Sequence, residues 1–200
     1  MIVYLVRHAH VRNPRKLMYG RLSGYPLSLR GRKAAKRTGR FLRNKEIEMI
    51  FASPLQRTLE TAEFIQQRIG INVPLETTTE LLEGDFGRYE GLPMKIVDST
   101  VTDDEYLELV PNVKRTYAGE TLRQMGERVG KFVTKIVKSN KFKVAVFVSH
   151  RDPLLSAIWL LQGKKLIPFF EKDLPRGGVW RLTFKNGKVV RARLVYHPEE

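Results

Sequence analysis

A three-layer α/β/α sandwich around a mainly parallel sheet is the fold class predicted for this 200-residue chain, and three features predict it. Two short apolar runs, Ile2 to Val6 and VAVFVS at 144–149, are rich in β-branched and aromatic residues and read as strands buried on both faces. Helical patterns alternate with extended ones along most of the chain, as βα units require. Near the C-terminus, Val179 to Phe184 and Val189 to Val195 flank Asn186-Gly187, a pair suited to a type I′ turn, so the sheet should end in an antiparallel hairpin.

The elements follow in order. After the first strand, Ser28 can cap a helix running to about Arg43, and a short strand covers Ile47 to Ala52. Ser53 stands where the next cap belongs, with Pro54 at the first helical position and Gly70 as the stop. An extended segment, Val73 to Thr77, leads into LLEGDFGRYEGL at 81–92, whose glycines mark tight backbone. Residues 93–119 read as a mostly helical insertion that could serve as a lid or as an oligomer contact. From Thr121, Leu122, Met125, Val129, Phe132, Val133, Ile136 and Val137 keep a 3.6-residue period, the strongest helical signal in the chain. After VAVFVS, Asp152 is a candidate cap and Pro153 a first helical residue, with an apolar helix through Leu161.

No repeat or linker divides the chain, so residues 1–200 are expected to form a single domain. With 42% hydrophobic and 28% charged residues the composition is globular, and no apolar run approaches a membrane span. The opening MIVYLVRH lacks a basic leader and a cleavage site, so it reads as a buried strand and the expected location is cytoplasmic. The absence of cysteine excludes disulfides, thiolate metal sites and a cysteine nucleophile. A formal net charge of +15 favours anionic partners. The cations between Arg30 and Lys45 read as the solvated face of a helix, and no specific nucleic-acid partner is expected.

Ligands of open α/β sheets bind outside the carboxyl ends of the strands. Arg7 and His8 end the first strand, Ser53 to Arg57 begin the helix after the second, Glu83 follows the third extended segment, and His150 ends VAVFVS. The predicted topology brings all of these to one rim. Arginine forks match phosphate oxygens, a neutral imidazole can carry a phosphoryl group, and a carboxyl group can protonate a leaving oxygen. The inventory therefore suits phosphoryl transfer, and it calls for neither a metal nor a cofactor. Position alone does not separate Glu83 from Asp85 and Glu90.

LVRHAH at 5–10, GRLSGYPLSLRG at 20–31, SPLQRTLETA at 53–62, LLEGDFGRYEG at 81–91, GETLRQMGERV at 119–129 and FVSHRDPL at 147–154 resemble, in order, the motifs of the histidine phosphatase superfamily, the phosphoglycerate mutase-like family. The resemblance covers nearly the whole chain. It implies that His8 is a phosphorylated nucleophile, that Arg7, Arg57 and His150 contact phosphate, and that Glu83 is the proton donor; Asn13 and Ser23 are secondary candidates for phosphate contact. The chain departs from the family pattern at Ala9 and His10, where glycine and an acidic or amide residue are usual, at Asn13, one place early, and at Arg151, usually glycine.

The loop EGDFGRYEGL resembles the phosphatase form, because the mutase form carries histidine and tyrosine directly after the glutamate. The expected activity is a phosphomonoesterase that works through phosphohistidine on a small phosphorylated metabolite. A 2,3-bisphosphoglycerate-dependent phosphoglycerate mutase is the second reading, and a non-catalytic basic binding module the third. Tyr89, Lys95, Arg115 and Tyr117, in or near the insertion, are expected to govern specificity. The sequence leaves a homo-oligomer open.

Overall fold

Side chains of a strand point alternately to its two faces, so a strand apolar at every position needs cover on both. The computed structural model, which describes residues 1–100, 119–166 and 173–198, shows how that cover is supplied. Strands β1 (Ile2–Arg7), β2 (Met49–Ala52), β3 (Leu75–Thr77) and β4 (Val144–Ser149) run parallel, while β5 (Val179–Lys185) and β6 (Lys188–Tyr196) form the antiparallel hairpin beside β1. The order in the sheet is β3-β2-β4-β1-β5-β6. β4 therefore lies between β1 and β2, and Val148 pairs with both Val6 and Ala52.

Val3, Leu5, Phe51 and Phe147 pack on one face in a cluster with α4 (Leu122–Ser139) and α5 (Arg151–Leu161). Their neighbours Tyr4, Val6, Ile50 and Val148 pack on the other, with Leu42 of α1 (Leu29–Leu42) and Ile65 of α2 (Gln56–Ile69). Alternation along single strands thus produces the three expected layers. Gly126 lets α4 approach α5 closely, since a Cβ there would stand 2.7 Å from that of Ser156.

Ser28 caps α1 by accepting from the Gly31 N–H, and Thr121 forms a capping box with Gln124 at the start of α4. Two helix starts differ from expectation. Helix α2 begins at Gln56 behind Leu55, because Ser53 still belongs to the strand end: its N–H donates to the Val148 carbonyl and its hydroxyl meets His150. Helix α5 begins at Arg151 behind His150, so Asp152 and Pro153 lie within the first turn and the Asp152 carboxylate accepts from Arg151. Of the insertion, Met94–Thr100 forms helix α3, and 101–118 lie outside the described residues. Among the described residues no helix is long and apolar enough to cross a membrane.

Candidate active site

His8 directly follows β1, and its N–H extends the β1–β4 ladder by donating to the Ser149 carbonyl at 2.9 Å. The Ala9 N–H donates to Thr61 Oγ1 at 3.2 Å, and Thr61 Oγ1 donates to the Arg57 carbonyl at 2.6 Å, tying this turn to α2. His8 is 2% exposed, with Nδ1 2.8 Å from the Ala9 carbonyl. A carbonyl only accepts, so Nδ1 carries the proton and Nε2 keeps its lone pair. Burial, then the charges of Arg57 and Arg7, hold the His8 pKa well below the usual imidazole range.

The arginines are themselves fixed. Arg57, buried in the first turn of α2, donates through an Nη to the Gly20 carbonyl at 2.7 Å and lies 4.7 Å from the Tyr19 ring centre. Arg7 donates to the Leu174 carbonyl at 2.7 Å. The Nε of each is buried without a hydrogen-bond partner. His150 follows β4, with Nε2 3.0 Å from the Ser53 hydroxyl and its ring edge-on to His8 at 5.3 Å. Burial, then Arg57 and His8, push its pKa down as well; a bound phosphate would act in the opposite direction.

Glu83 reaches the same place from the loop after β3. One carboxylate oxygen accepts the Gly84 N–H at 3.1 Å, and the other lies 3.4 Å from His150 Nδ1. Burial, reinforced by Asp152 and opposed by Arg57, pushes its pKa up to about 7. Ser149 Oγ donates to the Leu81 carbonyl at 2.7 Å, so the strand carrying His150 also anchors the loop carrying Glu83. Asp85 and Glu90 are engaged elsewhere: Asp85 accepts from the Gly87 N–H and Glu90 from the Arg21 N–H.

Arg7, His8 and Glu83 open on a cavity of about 720 Å³, while Arg57 and His150 lie buried behind its lining. Arg7, His8, Glu83, Arg151 and Arg176 line its polar side, and Val11, Met18, Phe86, Met94 and Val97 give it an apolar wall. His10 also lines it, as does Asn13, although both the nitrogen and the oxygen of the Asn13 side-chain amide are bonded to Leu17. Ser23 is exposed and outside this lining. Arg151 is tied to Asp152 and Asp173. Of the residues expected to govern specificity, Tyr89 is buried in the core, Lys95 is exposed away from the cavity, and Arg115 and Tyr117 lie outside the described residues.

Sequence reasoning missed Arg176 and Tyr19, and took Ser53 and Asp152 for caps. Arg176 carries a usable signal: it stands just before β5, and the first strand of a hairpin antiparallel to β1 must begin at the rim where β1 ends. Ligand atoms of His8, Glu83 and His150 lie within 4.8 Å of one another, a spacing that a metal ion could bridge. The adjacent Arg7 and Arg57 make the centre cationic, which favours an anion there over a cation.

A parallel sheet with two histidines, two arginines and a carboxyl group at its carboxyl rim defines an α/β protein built around an anion site. Residues 3–196 match the model of the histidine phosphatase superfamily (branch 1), and the chain belongs to that superfamily, in the class of phosphatases and phosphoglycerate mutases. It is 31% identical over 172 residues to phosphoserine phosphatase 1 of Hydrogenobacter thermophilus, covering 83% of this chain and 78% of that one. It is 29% identical over 153 residues to the probable phosphoglycerate mutase GpmB of Salmonella paratyphi A, covering 74% and 68%. YhfR of Bacillus stearothermophilus superposes with a TM-score of 0.83 at 24% identity over 99% of both chains, a likeness of fold.

Proposed function

We propose that the chain is a single-domain phosphomonoesterase that hydrolyses a small phosphorylated metabolite through a phosphohistidine at His8. The observation that carries this reading is the state of His8: buried between two arginines, proton on Nδ1, lone pair on Nε2, and lining a cavity. The buried, unpartnered Nε groups of Arg7 and Arg57 support an anionic ligand beside it, because such donors are costly to leave unmatched.

In the proposed reaction His8 Nε2 attacks phosphorus as the ester P–O bond breaks, and the leaving oxygen takes the proton of the Glu83 carboxyl group. Water then attacks the phosphohistidine, Glu83 takes its proton, the P–N bond breaks, and neutral His8 returns with inorganic phosphate. Arg7, Arg57 and His150 stabilise the charge shared among the remaining phosphoryl oxygens. A carboxyl pKa of about 7 suits a group that must be acid in one step and base in the next.

Purified protein should release phosphate from p-nitrophenyl phosphate, retain that activity in excess EDTA, and show an acid-labile phosphoryl group on His8 after rapid quenching. Absence of both turnover and label would overturn the reading. The mutase reading predicts phosphoryl exchange between 3-phosphoglycerate and 2-phosphoglycerate that outpaces phosphate release and depends on 2,3-bisphosphoglycerate.

A further inference from the structure

The motif GETL at 119–122 takes no part in the reaction above, yet its carboxylate occupies the centre of an ion-pair network behind the proposed proton donor. Glu120 Oε1 accepts from Arg128 Nε at 2.8 Å. Glu120 Oε2 accepts from an Nη of Arg128 at 2.7 Å and from an Nη of Arg21 at 2.9 Å. Both arginines turn their remaining donors to the loop carrying Glu83. Arg21 Nε donates to the Glu83 carbonyl at 2.9 Å, and Arg128 donates to the carbonyls of Glu80 at 2.8 Å and Leu82 at 3.1 Å and, more weakly, to that of Glu83 at 3.4 Å. The Glu120 N–H completes the link by donating to the Asp85 carbonyl at 2.8 Å.

We propose that Glu120 is a positioning residue that orients Arg21 and Arg128 as a clamp on the main chain of Glu83, setting where the proton-donating carboxyl group sits. The inference rests on Glu83 being that donor. No β-ladder reaches this segment: β3 ends at Thr77, and the following turns at Thr79–Leu81 and Gly87–Tyr89 leave residues 82–86 in irregular backbone. Apart from the main-chain bonds of Leu82 and Asp85, orientation there comes from side chains. The Glu120 side chain is 15% exposed, that of Arg128 18% and that of Arg21 32%, so the ion pairs are partly desolvated. Removing the carboxylate takes away the anion that both guanidinium groups share and leaves Arg21 the longer contact with Asp85 at 3.7 Å, so the loop moves to relieve the repulsion. Arg21 also follows Gly20, whose carbonyl holds Arg57, so one turn of chain sets the spacing between proton donor and phosphate-binding arginine.

The test separates positioning from general support of the fold. The quantity kcat/KM reports transfer to His8, where an alkyl leaving group needs protonation and nitrophenolate does not. Glu120→Ala should lower kcat/KM for glycerol 2-phosphate roughly 10- to 100-fold more than for p-nitrophenyl phosphate. Glu120→Asp should recover part of the difference. Arg21→Lys, a milder change, should show the same selectivity in smaller degree even where Glu120→Ala folds poorly. Adding Glu120→Ala to Glu83→Gln should bring no further selectivity, because both act through one proton. Equal losses on the two substrates, with Glu83→Gln itself selective, would overturn the positioning role alone. An unselective Glu83→Gln would overturn the donor assignment and this inference with it.

Discussion

The proposed phosphate cradle and the proposed proton donor lie side by side but are held by different means. His8 and His150 stand one residue beyond the innermost strands, where the ladder continues into His8 and hydrophobic clusters cover both faces of the sheet. Arg57 is buried in the first turn of the adjoining helix. Glu83 sits on a glycine-containing loop beyond the shortest strand, held by Ser149, Arg21 and Arg128 rather than by strand pairing. Changes in the cradle should therefore remove the reaction outright, whereas changes around Glu83 should make it selective.

The largest effect belongs to His8. Replacement by alanine should lower kcat by about 10⁴-fold or more on every phosphomonoester, since no neighbouring group can carry the phosphoryl group. His150 is the nearest substitute, but its Nε2 is held at Ser53. A phosphoryl label that persists in His8→Ala would move the nucleophile elsewhere. Arg57 comes next. Arg57→Ala should lower kcat/KM by about 10²- to 10³-fold and raise the inhibition constant of inorganic phosphate, while Arg57→Lys, which keeps the charge but loses the fork, should recover only part.

Glu83 gives a smaller and conditional effect. Glu83→Gln should cost roughly 10- to 100-fold with glycerol 2-phosphate and much less with p-nitrophenyl phosphate. The pH profile carries the same contrast. The first step needs Glu83 protonated, so kcat/KM for the alkyl ester should fall as pH rises through about 7. It should hold on the acid side through the ordinary histidine range, because the His8 pKa lies well below it and the nucleophile stays neutral. A fall in kcat/KM for the alkyl ester on acidification to pH 6 without unfolding would contradict that ordering.

The same division explains what was legible in the sequence. Doubly buried strands announce themselves as unbroken apolar runs, so β1 and β4, and with them His8 and His150, could be placed from pattern alone. The hairpin could be placed by Asn-Gly. The caps were misplaced because Ser and Asp after a strand satisfy two descriptions at once: Ser53 meets His150 and Asp152 meets Arg151, whereas an N-cap is recognised only by local spacing. The choice of Glu83 over Asp85 and Glu90 depends on contacts between residues far apart in sequence, such as Glu90 with Arg21. No periodic signal encodes such contacts, and only the family resemblance favoured Glu83.

The smallest effect tests where the cradle ends. Asn13 lines the cavity, but its amide nitrogen donates to the Leu17 carbonyl at 2.8 Å and its amide oxygen accepts the Leu17 N–H at 3.1 Å, closing the turn that presents Met18 and Tyr19. A side chain occupied in this way belongs with the wall rather than with the phosphate ligands. Asn13→Ala should lower stability by about 1 kcal/mol, the value of partly exposed hydrogen bonds, and change the inhibition constant of inorganic phosphate by less than about twofold. A rise of about tenfold in that constant, without loss of stability, would mean that Asn13 leaves Leu17 to bind phosphate. The boundary between cradle and wall would then move outward to include the loop after His10, and the departures at Ala9 and His10 would bear on phosphate binding itself rather than on the shape of the substrate.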